Sequence, residues 1–194
     1  MKTLIIYAHP ETEGFCSETL RQVEEKLKKF NQEYELIDLY KIGYDPILKK
    51  EELYTAGNRN ISEQNLEFQQ KIKEAKNLIF IYPIWWGTMP AILKGFFDRI
   101  LTPRFGYNYK KGGMVERLLK DKKAIVFVSN GSAKIVYSIF NMPNILIKIN
   151  ILSFCGIKSK VFQIYKARKL DENKKEEIVK NIEKGFRFLF INLY

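Results

Sequence analysis

The chain has 194 residues, of which 46% are hydrophobic and 14% aromatic, so it reads as one globular domain over 1–194 and not as a disordered or fibrous protein. Its two cysteines, Cys16 and Cys155, exclude a disulfide framework and a cysteine-based metal site, and read as reduced thiols of a cytoplasmic protein. The formal charge of +11 is lopsided, with 14 basic and 15 acidic side chains in residues 1–99 against 19 and 7 in residues 100–194, yet the cations are scattered and carry no nucleic-acid motif.

Residues 2–8 form a short apolar run of strand length. The loop His9–Ser17 follows, and then a helix with Leu20, Val23 and Leu27 on its buried stripe. Lys26, Lys28 and Lys29 stand near the carboxyl end of this helix, where cations suit its dipole. The unit presents unpaired backbone N–H groups at the helix-opening residues Gly14, Phe15, Cys16 and Ser17, a natural phosphate site. Glu35–Leu39 reads as a second strand, and 40–60 as a long connection with Gly43, Pro46 and Gly57. Ser62 precedes a polar helix reaching Ala75.

The stretch from Ile79 carries the strongest pattern. An unbroken apolar run through Pro83 suits a strand buried on both faces of a parallel sheet. The turn after it holds Ile84, Trp85, Trp86 and Gly87, and from Pro90 the pattern becomes helical, with stripes Ile92–Phe96–Ile100 and Leu93–Phe97–Leu101. Pro90 is expected in the first turn, where its missing N–H is harmless. Two indoles beside a glycine, with backbone amides close by, suit a flat ring with polar edges, such as a flavin.

Thr102–Gly113 reads as a loop rich in aromatics and glycine, including Phe105, Tyr107 and Tyr109. Lys122–Val128 is a fourth strand, followed by the polar turn Ser129, Asn130, Gly131 and Ser132. Residues 139–154 read as an apolar helix broken near Pro143, and five polar or proline residues between 141 and 150 exclude a transmembrane span. Val161–Tyr165 is a fifth strand, and Asp171 caps a last helix with Ile178, Ile182 and Phe186 inward. Strands alternating with helices give an α/β fold, a three-layer, doubly wound five-stranded parallel sheet.

The phrase Tyr-Pro-Ile-Trp-Trp-Gly-Thr-Met-Pro-Ala-Ile-Leu-Lys-Gly-Phe-Phe-Asp-Arg at 82–99 closely resembles the signature of the NAD(P)H:quinone oxidoreductases, flavoproteins of the flavodoxin-like fold. Tyr7-Ala8-His9-Pro10 with Gly14-Phe15 resembles the family's first loop, and Leu152-Ser153-Phe154-Cys155-Gly156-Ile157 a later family phrase. The resemblance implies strand order 2-1-3-4-5 and bound FMN or FAD, with FMN slightly favoured. It implies NAD(P)H as co-substrate in the two-electron, ping-pong reduction of quinone-like, azo or nitroaromatic acceptors. A flavin-binding regulatory subunit of a potassium-efflux system is the alternative it leaves. A homodimer without a transmembrane segment or nucleic-acid partner is expected.

By the same resemblance His9, Gly14, Phe15, Cys16 and Ser17 contact the flavin's phosphate and ribityl side. Pro83, Ile84, Trp85, Trp86 and Gly87 hold the ring, together with Ser129, Asn130 and Gly131. Phe105, Tyr107 and Tyr109 match the aromatics that line the family's substrate pocket, often reaching the partner subunit's flavin. Tyr137 matches a tyrosine that follows the polar turn and is the catalytic candidate. The chain departs from the family by Gly-Phe-Cys where Ser-Phe-Asn is frequent, and by having His9 as its single histidine, so a Tyr–His relay is absent.

Overall fold

The computed structural model describes residues 2–53, 55, 60–137 and 141–190, with Tyr137 described by its backbone alone. In chain order the elements are β1 (Thr3–Tyr7), α1 (Phe15–Lys29), β2 (Tyr34–Asp38), α2 (Glu63–Glu74), β3 (Asn77–Pro83), α3 (Ala91–Ile100), β4 (Tyr107–Tyr109) and β5 (Val115–Arg117). They continue with β6 (Lys123–Ser129), α4 (Met142–Asn144, running on as a π-helix over Ile145–Ser153), β7 (Lys158–Ile164) and α5 (Glu172–Leu189). Five strands form one parallel sheet in the order β2-β1-β3-β6-β7. This is the flavodoxin-like order expected from sequence, with β6 and β7 as its fourth and fifth strands.

The alternation of side chains along the central strands builds two cores. Leu4, Ile6, Leu78, Phe80, Tyr82, Ala124, Val126 and Val128 face one side and pack with Phe68, Leu93, Phe96 and Ile147 of α2, α3 and the π-helix. Ile5, Tyr7, Ile79, Ile81, Ile125 and Phe127 face the other, against Val23 and Leu27 of α1 and Ile178, Ile182 and Phe186 of α5. A strand with both faces covered needs apolar residues at every position, which is why β1 and β3 read as unbroken runs.

Three sequence expectations change. The 102–113 segment is not wholly a loop: β4 and β5 pair antiparallel, Tyr107 opposite Arg117, and Gly112 and Gly113 turn the chain with φ of 86° and 81°. Pro90 is the N-cap of α3, its carbonyl accepting from the N–H groups of Leu93 and Lys94. Pro143 starts a helix where a break was expected, since it sits in the first turn of α4, where a proline nitrogen needs no partner. The expected residues 139–140 of that helix lie outside the described residues. Ser62 and Asp171 cap α2 and α5 as read from sequence, accepting from the N–H groups of Asn65 and Lys174.

The connection after β2 is held to α3 by a buried ion pair. Arg99 donates from Nε and Nη2 to the two carboxylate oxygens of Glu52, both at 2.8 Å, and from Nη1 to the Asp45 carbonyl. Asn65 donates to Glu52 and accepts from the Tyr44 hydroxyl, so the pair sits in a closed polar network. Gly95 permits the contact, because a Cβ there would lie 2.1 Å from the Pro46 carbonyl oxygen.

Burial alone raises the Glu52 pKa, but Arg99 outweighs it and holds the carboxyl below its ordinary 4.5. The pair's contribution is therefore complete above that value and is lost as pH falls through the depressed one. Arg99→Met, which leaves Glu52 buried and unpaired, is expected to remove about 3 kcal/mol of stability at neutral pH in urea unfolding. Glu52→Gln is expected to lose less stability than the unsubstituted protein when pH is lowered from neutral to about 4.

Candidate active site at the carboxyl edge of the sheet

Parallel register brings three turns together. Tyr7 pairs with Ile81, and Pro83 with Ser129, so β1, β3 and β6 end within one side-chain layer. After β1, the Ala8 N–H donates to the Ile81 carbonyl at 3.0 Å and the chain turns into the His9 loop. The Glu11 N–H donates to His9 Nδ1 at 3.1 Å, which ties the ring to its own loop. The His9 ring lies 5.9 Å from that of Trp85, tilted by 54°. Two predicted site residues far apart in sequence thus meet. Beside this loop, between α1 and the end of β2, lies a cavity of about 750 Å³.

Gly14 caps α1 with φ of 104° and offers no side-chain acceptor. The first bond into the helix runs from the Glu18 N–H to the Gly14 carbonyl at 3.0 Å. The N–H groups of Phe15, Cys16 and Ser17 therefore have no partner within the helix, and they stand at its positive end. Glu18 is drawn aside by Arg21, which grips both its oxygens at 2.6 and 3.0 Å. The Ser17 hydroxyl donates to the Gly14 carbonyl at 3.0 Å, which leaves the anion-facing work to backbone amides.

Cys16 points inward. Only 4% exposed, it places Sγ 3.3 Å from the Ser129 hydroxyl, and burial pushes its thiol up to about 12. Ser129 in turn accepts the Ile84 N–H on its carbonyl at 2.8 Å. One short chain of contacts, Cys16–Ser129–Ile84, fastens the three turns to one another.

The β3 turn carries strain. Trp85 and Thr88 exchange backbone bonds at 2.9 and 3.1 Å, and the two residues between them, Trp86 and Gly87, have φ of 50° and 77°. Left-handed backbone at both central positions is the pattern of a type I′ turn, which favours Asn-Gly. A tryptophan there is an outlier, and its indole is fully exposed at 103%. A large apolar ring held in an unfavourable backbone state, in contact with water, marks this turn as a candidate contact surface.

The β6 turn carries an unsatisfied donor. Asn130 is 2% exposed and its Oδ1 accepts the Ser132 N–H at 2.9 Å. Its Nδ2 has no partner among the described residues. Leaving a buried amide unpaired costs about 1–3 kcal/mol, which an acceptor on a ligand would recover. Gly87 and Gly131 face open space, since a Cβ on either would meet no atom within 4 Å. An anion site, an aromatic wall and a buried donor thus fit a planar ring with polar edges joined to a phosphate. No cluster of metal-ligating side chains occurs among the described residues.

Phe105, Tyr107 and Tyr109 gather elsewhere in this chain. The Tyr107 ring meets Phe154 at 4.9 Å and Tyr109 at 5.4 Å, and Phe105 packs on the core beneath. Tyr107 and Phe154 line a recess of about 290 Å³ between α3 and the π-helix. The backbone of Tyr137 ends the single helical turn Lys134–Tyr137 after the β6 turn. Sequence reasoning missed the loop after β7, whose Lys166 and Ala167 N–H groups donate to the Ser132 and Asn130 carbonyls at 3.0 and 2.9 Å.

Comparison with known proteins agrees with this architecture. A family model described as flavodoxin-like fold matches residues 1–186. A protein of Haemophilus influenzae named an uncharacterized NAD(P)H oxidoreductase is 34% identical over 169 residues, covering 85% of this chain and 83% of that one. NAD(P)H dehydrogenase [quinone] 1 of Cavia porcellus is 30% identical over 181 residues, covering 81% of this chain and 65% of that enzyme. The solved NAD(P)H:quinone oxidoreductase of Methanothermobacter marburgensis superposes with a TM-score of 0.81 at 27% identity, covering 97% of this chain and 96% of that one. The chain belongs to the flavodoxin-like family of NAD(P)H oxidoreductases and quinone reductases, and it is an oxidoreductase of that class.

The strain at Trp86 makes a two-sided prediction. Trp86→Gly is expected to raise the urea midpoint slightly, by up to about 1 kcal/mol of stability, while weakening flavin retention. Equal flavin content and kinetics in that variant would remove Trp86 from the site.

Proposed function

We propose that the carboxyl edge of β1, β3 and β6 holds FMN and that the protein carries out two-electron reduction of quinone-like acceptors by NAD(P)H. The carrying observation is the convergence there of the α1 amino terminus, the Trp85–His9 pair and the unpaired Asn130 amide. Once bound, a flavin supplies hydride acceptance and donation, and the protein's part is binding, orientation and electrostatics.

The N–H groups of Phe15, Cys16 and Ser17 hold the phosphate, with His9 beside them. One such terminus accounts for the single phosphate of FMN. Pro83–Gly87 lie along the ring, with Trp85 and Trp86 as its apolar flank. Asn130 Nδ2 and the Gly131 N–H are the donors proposed for the ring edge where negative charge would develop on reduction, the Asn130 backbone N–H being spent on the Ile164 carbonyl. Tyr137, whose side chain lies outside the described residues, is the catalytic candidate that the family resemblance supplies. Donor and acceptor would use the same space beside Trp86 in turn, the basis for a ping-pong cycle.

The pocket is completed by a second copy of the chain. Met142, Ile145 and Ile149 are exposed at helical spacing on one side of the π-helix segment, an apolar face for a homodimer. Tyr107 and Tyr109, with Phe105 packed beneath them, then face the partner's site across it. Two buried thiols fit a reducing compartment, the cytoplasm, and no helix among the described residues is long and apolar enough to cross a membrane.

Initial rates of NADPH oxidation, measured against menadione at several fixed donor concentrations, are expected to give parallel double-reciprocal lines. Intersecting lines would contradict a shared pocket. Sedimentation velocity is expected to show a dimer, and Ile149→Asp to shift it toward monomer.

A further inference from the structure

The β6 turn is stitched to a loop of uncompensated positive charge. The N–H groups of Lys166 and Ala167 donate to the Ser132 and Asn130 carbonyls at 3.0 and 2.9 Å, and that of Arg168 to the Lys166 carbonyl at 2.8 Å. Lys166 takes φ of 53° to make this turn. The backbone of 166–168 is thereby locked against the turn bearing the unpaired Asn130 amide. Lys166, Arg168 and Lys169 are exposed on this loop, and Lys134 is exposed at the start of the helical turn that follows Ser132.

None of these four cations makes an ion pair among the described residues, and the carboxylates that follow in the chain are engaged elsewhere. Asp171 accepts the Lys174 N–H at 2.9 Å as the cap of α5. Glu172 pairs with Lys175 at 2.7 Å, and Glu177 with Lys174 at 2.6 Å. Four like charges gathered by backbone bonds, against the single carboxylate of Asp171 at the end of the loop, favour an anion there. An arginine in the group suits a phosphate, which it can grip with two parallel N–H bonds.

The proposed reaction supplies one anion for that place. A nicotinamide held beside Trp86 and Asn130 would bring the far end of the dinucleotide within reach of the loop bonded to that turn. NADPH differs from NADH by a 2′-phosphate at its far end, and the two share the pyrophosphate. We infer that the Lys134–Lys166–Arg168–Lys169 rim binds the 2′-phosphate and makes the protein select NADPH over NADH. This rests on the flavin-reductase reading and assigns the donor, which that reading leaves as either.

The test compares kcat/KM for NADPH and NADH in the flavin-loaded protein, with menadione as acceptor and flavin content read from absorbance. NADPH is expected to be preferred by roughly tenfold or more, through KM and not kcat, with the preference shrinking as salt is added. Arg168→Gln combined with Lys169→Gln is expected to bring that ratio close to one, a loss of about tenfold or more, while flavin content stays at that of the unsubstituted protein. Lys158→Gln with Lys160→Gln, which removes the same charge from the outer edge strand, is expected to leave the ratio unchanged. Equal use of both donors would overturn the inference. So would a rim variant that weakens both donors alike, which is the mark of a pyrophosphate site, or one that sheds flavin. A flavin that neither donor reduces would overturn the reductase reading itself.

Discussion

A sheet of five strands running the same way has a single edge at which all of them leave, and everything specific to this protein hangs on that constraint. Because Tyr7, Ile81, Pro83 and Ser129 are locked in register, the turns after β1, β3 and β6 cannot avoid one another. Parallel ladders need helical crossovers, so the first of these turns must also open a helix. A helix end with unpartnered N–H groups thus stands beside two loops free to vary in sequence. Aromatic residues fill one loop and polar residues the other.

The edge is fastened tightly but left chemically unfinished. Cys16 spends its thiol on Ser129, whose carbonyl holds Ile84, so the side chain of this helix-opening residue fastens the turns from within. Asn130 satisfies its oxygen locally and leaves its amide unpaired, while Trp86 keeps a backbone state that glycine would take more easily. Buried orphan donors and left-handed bulky residues persist where a ligand gives something back. On the outer side, the Arg99–Glu52 pair pins the long connection to α3. The helix that begins at the tryptophan turn is thereby braced from both sides.

Much of this was legible in the sequence, and the parts that were not share a cause. Apolar runs announced the strands because both faces of a central strand are buried. The phrase 82–99 announced the β3 turn and α3, and Ser62 and Asp171 their caps. The β4–β5 hairpin stayed hidden because each strand has only three residues and no alternation develops. Pro143 misled because the same residue breaks a helix from within and begins one from its first turn. Arg99 and Glu52 are 47 positions apart with no intervening pattern. The cation rim is half hidden for the same reason: Lys166, Arg168 and Lys169 are neighbours in sequence, but Lys134 joins them only through the pairing of β6 with β7. Local periodicity is written in sequence, whereas contacts made by a register are written only in the fold.

The central claim is that this edge holds a flavin that a nicotinamide donor can reduce. An absorption spectrum of the purified protein, titrated with NADPH in the absence of oxygen and then with menadione, tests it most directly. The account predicts flavin bands that bleach with about one equivalent of donor and return with the quinone. A colourless protein that takes up neither FMN nor FAD, or a bound flavin that stays oxidised with both NADPH and NADH, would contradict it.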